Sequence, residues 1–337
     1  MNAEHESQPG VPPSVRRRTE DLIQRIRDSA DQLAQDGSTR GDLKLLSRAI
    51  RELRYAFKVF APYRRNRKVT VFGSARTGEG HPAYQQALAF GRAMAEHDWW
   101  VVTGAASGIM EAGHRGAGRE KSMGLNILLP FEQEANPVIV GDHKLVHMKY
   151  FFTRKLMFVK ECNAVVCLPG GFGTLDEALE VLTLLQTGKR DLVPLVLLDY
   201  PGGTYWQAFV DFVREHLLAE QMISPTDFSL FKRTDSCVEA VEELLTFYRV
   251  FHSMRYVKQR LVLRLQRTIS ATTLDRLNRD YRNILARGEF QLRSALSEER
   301  DEPDLADLPR LALEFNRRDL GRLREVIDIV NRDGQDA

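Results

Sequence analysis

Cysteine is scarce: Cys162, Cys167 and Cys237 are all that the 337 residues contain. Three thiols so scattered exclude a disulfide framework and a zinc knuckle, and are expected to be free in a reducing compartment. No apolar run approaches the length of a membrane span. An excess of charge is also missing, since 48 basic residues face 46 acidic ones. No global field therefore draws the chain to nucleic acid or to a membrane. Residues 1–14 are polar, carry three prolines and lack an apolar core, so a signal peptide is not expected. What remains is a protein of ordinary globular composition, expected in the cytoplasm. It is long enough for one large domain with additions or for two domains.

Periodicity divides the chain into four stretches. Residues 1–15 read as a disordered tail. Residues 16–66 read as N-terminal helices: Thr19 suits an N-cap, Leu22, Ile23, Ile26, Ala30 and Leu33 share one helical face, and Gly37 stops it. A second helix runs from about Asp42 to Phe60, with Leu46, Ile50, Leu53 and Phe57 on one side. Residues 67–250 alternate strand and helix. Strands are expected at 69–72, 99–103, 124–129, 144–148, 164–168 and 192–198, with an edge strand at 228–231. Helices fall between them at 82–97, from 109, and at 152–161, 205–218 and 238–250. This pattern predicts an α/β fold, a doubly wound, mostly parallel Rossmann-like sheet covered by helices on both faces. Residues 251–337 read as a small C-terminal α/β extension of βαββα type, with strands at 261–265, 290–296 and 311–315 and helices at 273–286 and 320–330.

The most informative stretch is Pro169-Gly170-Gly171-Phe172-Gly173-Thr174-Leu175-Asp176-Glu177. An apolar strand leads into it, and Leu175, Ala178, Leu179, Leu182 and Gln186 follow at helical spacing. Three glycines let the backbone approach a ligand, Thr174 is read as the N-cap, and Asp176, Glu177 and Glu180 crowd the helix start. Free N–H groups at a helix N-terminus attract anions, phosphate above all. A plain strand-to-helix turn with acidic capping would give the same pattern. Ser74, the 104–108 turn and the 130–142 loop are placed at the same carboxyl-terminal rim of the sheet, where ligands bind in folds of this type.

Upstream of this turn stands Tyr150-Phe151-Phe152-Thr153-Arg154-Lys155. The pair resembles the signature of the LOG (Lonely Guy) family, once widely mislabelled as lysine decarboxylases: an Arg-Lys on a helix, then Pro-Gly-Gly-x-Gly-Thr-x-x-Glu. Val71-Phe72-Gly73-Ser74, Thr103-Gly104, Gly108 to Ala112 and Leu129 to Gln133 resemble it too, so the likeness spans about residues 69–250. The resemblance implies hydrolysis of the N-glycosidic bond of a nucleoside 5′-monophosphate, AMP or a cytokinin ribotide, to free base and ribose 5-phosphate. It implies no metal, pyridoxal phosphate or other cofactor, and at least a homodimer. Glu177 matches the catalytic glutamate and Arg154 the catalytic arginine. Lys155, Gly170, Gly171, Gly173, Thr174, Asp176 and Thr183 match substrate-binding positions, with Ser74, Gly104 and Glu132 as weaker matches. A carboxylate beside the ribose suits a reaction that builds positive charge there, and an arginine fork suits phosphate or ribose.

The chain also departs from that pattern. Asp176 replaces the usual Glu, His114 stands where longer members often carry Asn, and Gly104-Ala105-Ala106 replaces Gly-Gly-Gly. The added methyl groups are expected to disturb base and ribose contacts more than the phosphate site. Two rival readings come from other classes. One is a non-catalytic nucleotide or molybdenum-cofactor carrier of similar fold, which would not need both Arg154 and Glu177. The other is a nucleic-acid or regulatory protein acting through the arginine-rich tail, although acids nearly balance those arginines. Neither a membrane nor nucleic acid is the expected partner.

Overall fold

The computed structural model describes residues 13–127 and 135–333. Most of the expected tail, and Glu132, lie outside the described residues. The chain divides into two units, residues 1–54 and 55–337. In the first, helix α1 (Pro13–Leu33) takes in the last residues assigned to the tail, and α2 (Arg40–Phe60) begins there and runs past its end. Thr39 and Asp42 cap α2 reciprocally: the Thr39 N–H donates to Asp42 Oδ2 at 2.9 Å, and the Asp42 N–H donates to Thr39 Oγ1 at 3.2 Å.

The second unit is built on a seven-stranded parallel sheet with order β4-β3-β2-β1-β5-β6-β7. Its strands are β1 (Lys68–Phe72), β2 (Trp100–Thr103), β3 (Ser122–Ile127), β4 (Leu145–Met148), β5 (Ala164–Cys167), β6 (Leu195–Leu198) and β7 (Lys232–Thr234). The six strands β1–β6 are almost wholly buried, as expected where helices cover both faces of a parallel sheet. Helices α3 (Pro82–Glu96), α4 (Ile109–Ala117), α5 (Phe151–Glu161), α6 (Phe172–Gln186) and α7 (Tyr205–Phe212) lie between successive strands, and α8 (Cys237–Phe247) follows β7. From β1 the chain winds outward to β4, then returns to β5 on the other side of β1. The β1/β5 junction is therefore the topological switch point, where such sheets open a crevice beyond the strand ends.

The edge strand is displaced from its expected place. Residues 225–230 form a 3₁₀ turn whose capping box joins Ser224 to Asp227, and the edge strand is Lys232–Thr234. The polar Ser224 and Asp227 make the turn at Pro225, so the aromatic run at 228–231 does not extend.

A second, four-stranded antiparallel sheet follows, with order β10-β11-β9-β8. It comprises β8 (Phe251–Val257), β9 (Arg260–Leu265), β10 (Leu285–Arg293) and β11 (Arg310–Phe315), with α9 (Ala271–Asp280) and α10 (Leu320–Arg332). The extension is thus ββαββα rather than βαββα. Strand β8 alternates buried and exposed positions weakly, so its pattern is hard to read. Helix α9 stops at Asp280, short of the expected 286, and residues 285–293 form β10. Buried Asn331 of α10 staples the junction of the two sheets: its Oδ1 accepts from Val250 N and Phe251 N at 2.9 Å each, and its Nδ2 donates to Phe247 O at 2.6 Å.

Candidate active site

Three loops meet at the switch point. The Ser74 N–H donates to Pro169 O at 3.1 Å, joining the end of β1 to the end of β5. Ser74 O accepts from Ile109 N at 3.0 Å, which brings in the start of α4. Together they floor a cleft of about 720 Å³. Of the expected site residues, Ser74, Gly104, Arg154, Gly170, Gly171, Gly173, Thr174 and Glu177 all line it. Lys155, Asp176 and Thr183 do not.

The glycine turn is tighter than the sequence suggested. Helix α6 has Gly171 as its N-cap, so Thr174 lies inside the first turn and caps nothing. Its side chain folds back over Gly170 instead. A Cβ on Gly170 would meet Thr174 Oγ1 at 2.1 Å and Ser74 N at 2.9 Å, so only glycine fits. A Cβ on Gly171 or Gly173 would meet nothing within 4 Å. The first N–H groups of α6 have no intrahelical acceptor by helix geometry and front this open side. A phosphate could be held there.

The buried face of α6 carries Thr174, Glu177, Ala178, Val181 and Leu185, one position out of phase with the series 175, 178, 179, 182, 186 read from the sequence. The reason is that two polar residues, Thr174 and Glu177, take the inward positions. Glu177 is only 4% exposed, and its Oε2 is buried and accepts no hydrogen bond among the described residues. Burial pushes its carboxyl up to about 7, against the pull of the Lys155 and Arg154 charges. A carboxylate balanced near neutrality can take a proton and also stabilise cationic charge.

Arg154 projects from the first turn of α5. Its guanidinium lies 5.0 Å from the Phe151 ring centroid and 5.7 Å from that of Phe158. Two aromatic faces of this kind help hold an arginine in place. Gly104 sits beside it and makes room for Met110: a Cβ there would lie 2.9 Å from Met110 Sδ and in ordinary contact, 3.8 Å, with Arg154 Nη1.

Lys155 lies off the cleft lining, among the acids of α6. It is 16% exposed, and its Nζ sits 2.7 Å from Glu180 Oε2, 2.9 Å from Asp176 Oδ2 and 3.8 Å from Glu177 Oε2. Burial opposes its charge, but the bonds to Glu180 and Asp176 and the Glu177 charge outweigh that and hold the ammonium above its ordinary range. Asp176 is thereby engaged outside the cleft. The Thr183 hydroxyl donates to Leu179 O at 2.8 Å on an exposed part of α6.

Ala105 also departs from expectation. It adopts φ 60°, the left-handed region, and is fully buried with Ala135, Ile139 and Leu145. Its methyl therefore lies in the core, and only Gly104 and Ala106 of that turn reach the cleft. The turn is held by a buried network. His114 Nδ1 accepts from Asn136 Nδ2 at 3.2 Å, Asn136 Nδ2 also donates to Ala106 O at 3.1 Å, and His114 Nε2 lies 3.0 Å from Met123 O. That pattern requires a neutral ring, and burial draws the His114 pKa down to about 4.

Arg76 was passed over in the sequence as the residue ending a strand turn. It lines the cleft with Arg154 and Glu177, the charged side chains among the described lining. Two cations and one acid suit an anionic ligand. Its only sequence signal was its place three residues after Gly73 at the rim.

The family model described as possible lysine decarboxylase matches residues 103–244. The chain is 29% identical to the cytokinin riboside 5′-monophosphate phosphoribohydrolase LOG3 of Arabidopsis thaliana over 53% of this chain and 81% of that protein. It is also 29% identical to LOG7 of the same plant and name, over 53% and 82% respectively. Among solved structures, the molybdenum cofactor carrier protein MCP of Chlamydomonas reinhardtii is 22% identical over 54% of this chain and 99% of that one, with a TM-score of 0.38. That likeness is too loose to bear on function.

Proposed function

We propose that the chain is a member of the LOG family and that it hydrolyses the N-glycosidic bond of a nucleoside 5′-monophosphate to free base and ribose 5-phosphate. The single observation that carries this reading is Glu177: a buried carboxylate with an oxygen that accepts no hydrogen bond among the described residues, on the cleft wall beside Arg154 and one turn from the open start of α6. The names of the plant relatives, which act on cytokinin riboside 5′-monophosphates, support it.

In this reading the 5′-phosphate sits against the N–H groups at Gly171, Phe172 and Gly173, with Thr174 and Arg76 at its sides. Arg154 holds the ribose end between those groups and Glu177. As the bond from C1′ to the base breaks, the base leaves with the electron pair and C1′ becomes cationic. Ionised Glu177 stabilises that charge and takes a proton from the water that adds to C1′; that proton then passes to the departing base, which leaves as the neutral free base, and Glu177 is ionised again. Lys155 keeps Glu177 from being fully protonated at neutral pH, while its own charge is neutralised by Asp176 and Glu180. The apolar walls, Phe72, Met110, Ile127 and Phe158, exclude water around the base.

Large apolar side chains flank the cleft on the outer faces of α5 and α6. Phe151, Phe152, Leu156 and Leu179 are each about half exposed, and Phe172 is 92% exposed. A patch of that kind supports a homodimer closing over the site.

The test is a product assay with AMP, isopentenyl-AMP and adenosine. Release of free base and ribose 5-phosphate from a monophosphate, with none from adenosine, is the expected result. No base from any monophosphate would overturn the reading.

A further inference from the structure

One strong contact at the phosphate cradle comes from outside the cleft. The Tyr205 hydroxyl donates to Gly170 O at 2.7 Å. Tyr205 opens α7, beyond β6, and does not line the cleft, so the Gly170 carbonyl is drawn away from the ligand side. Across a trans peptide, the C=O of one residue and the N–H of the next point in opposite directions. No peptide bond in the described residues is cis. Fixing Gly170 O toward Tyr205 therefore turns the Gly171 N–H the other way, away from Tyr205.

The segment bearing Tyr205 is unusually well anchored. Buried Asp199 Oδ2 accepts from Trp206 N at 3.0 Å, the backbone group next along from Tyr205. Arg233 Nη2 donates to Gly203 O at 2.9 Å, and Gly202 N donates to Asp235 Oδ2 at 3.1 Å. Gln86 Nε2 bridges the carbonyls of Asp199 and Asp235 at 3.0 and 2.9 Å. The Trp206 ring stands edge-on to that of Tyr205, with centroids 4.9 Å apart. Side chains from α3, from β7 and from the residues flanking it thus anchor the segment that carries Tyr205. Nothing about holding α7 in place requires its hydroxyl to reach the glycine turn.

We propose that Tyr205 is a positioning residue for anion binding: through Gly170 O it sets the Gly171 N–H for the 5′-phosphate, and it takes no part in bond cleavage. This inference rests on the phosphoribohydrolase reading only for the identity of the anion. Gly171 has no side chain to fix its peptide planes and little steric hindrance to their rotation, so an external tie is what such a turn needs. The tie acts on ground state and transition state alike, which moves KM and leaves kcat.

Tyr205→Phe removes only the hydroxyl. The test compares wild type and variant for AMP hydrolysis, for binding of inorganic phosphate and of ribose 5-phosphate by calorimetry, and for melting temperature. The expected result is a rise of about fivefold in KM and in both dissociation constants. The kcat should stay within about twofold, adenosine should inhibit both proteins alike, and melting should be nearly unchanged. Unchanged phosphate affinity, a fall in kcat at fixed KM, or loss of the fold would each overturn the proposal, the last by making the hydroxyl structural. If wild type releases no base at all, the phosphoribohydrolase reading fails, and the phosphate titrations still decide the role of Tyr205.

Discussion

Lys155 Nζ lies 3.8 Å from Glu177 Oε2 but makes its two shortest contacts, at 2.7 and 2.9 Å, with Glu180 and Asp176. The lysine thus tunes the buried acid from the side without forming a full ion pair with it. Removing the cation as Lys155→Met takes away its pull on Glu177 and leaves two acids unbalanced nearby. Both changes raise the Glu177 pKa. If ionised Glu177 is the active form, kcat/KM rises with pH through about 7 in the wild type. In Lys155→Met that limb should move to higher pH by about one unit. The substrate phosphate also titrates near pH 6, but its limb would not move with the mutation. A pH profile of both proteins on AMP separates the two.

The same acid should cost stability. A carboxyl held near 7 when folded and near 4.5 when unfolded binds more protons in the folded state between those values. Its contribution is intact below about 4.5 and is lost as pH rises through 7. Glu177→Gln should therefore be more stable than wild type at pH 8, by up to about 3 kcal/mol, and similar to it at pH 4.5. Urea denaturation at the two pH values reads this directly. Equal stability at pH 8 would mean that Glu177 is not desolvated.

His114 carries the opposite sign. Its ring is held at about 4 when folded against about 6.5 when free. The neutral ring's contribution is intact above 6.5 and is lost as pH falls toward 4. His114→Gln keeps a donor of similar reach toward Met123 O but does not titrate. It should flatten the loss of stability as pH falls from neutrality to 4, by up to about 3 kcal/mol. Denaturation midpoints across the window test it.

The glycines of the turn should separate fold from binding. Gly170→Ala places a methyl within 2.1 Å of Thr174 Oγ1 and 2.9 Å of the Ser74 N–H. It should cost about 2 kcal/mol or more and disturb the junction of β1 and β5. Gly173→Ala meets no protein atom within 4 Å and lies in the first turn of a helix. It should leave the melting temperature unchanged or slightly raised, while KM for a monophosphate rises as the methyl enters the cradle. Thermal melts beside steady-state kinetics check both.

Much of this site could be read in the amino acids because it is local. The strands ending at Phe72 and Cys167 announce themselves by buried apolar runs, and the glycine turn and the Arg154-Lys155 pair lie within short windows. Winding order then places those ends side by side. What could not be read depends on contacts distant in sequence or on rotation about an axis. Leucines at 175, 179 and 182 suggested the buried face of α6, yet the polar Thr174 and Glu177 turn inward and the leucines turn partly out. Lys155 reads as a substrate contact until α6 brings Asp176 and Glu180 beside it. Ala105 reads as an obstacle in the cleft, but its left-handed backbone sends the methyl into the core. Tyr205 reaches Gly170 across 35 positions, and no periodicity records that. In the extension, β8 was missed because one of its faces is only half covered.

The most direct test of the account is base release from AMP at pH 8 by wild type and by Glu177→Gln, with inorganic phosphate binding measured on both. The account predicts free adenine and ribose 5-phosphate from wild type. It predicts a loss of at least about a hundredfold in the variant, with phosphate binding retained. A variant that releases adenine at the wild-type rate would contradict it, because the chemistry would then not run through the buried carboxylate of α6.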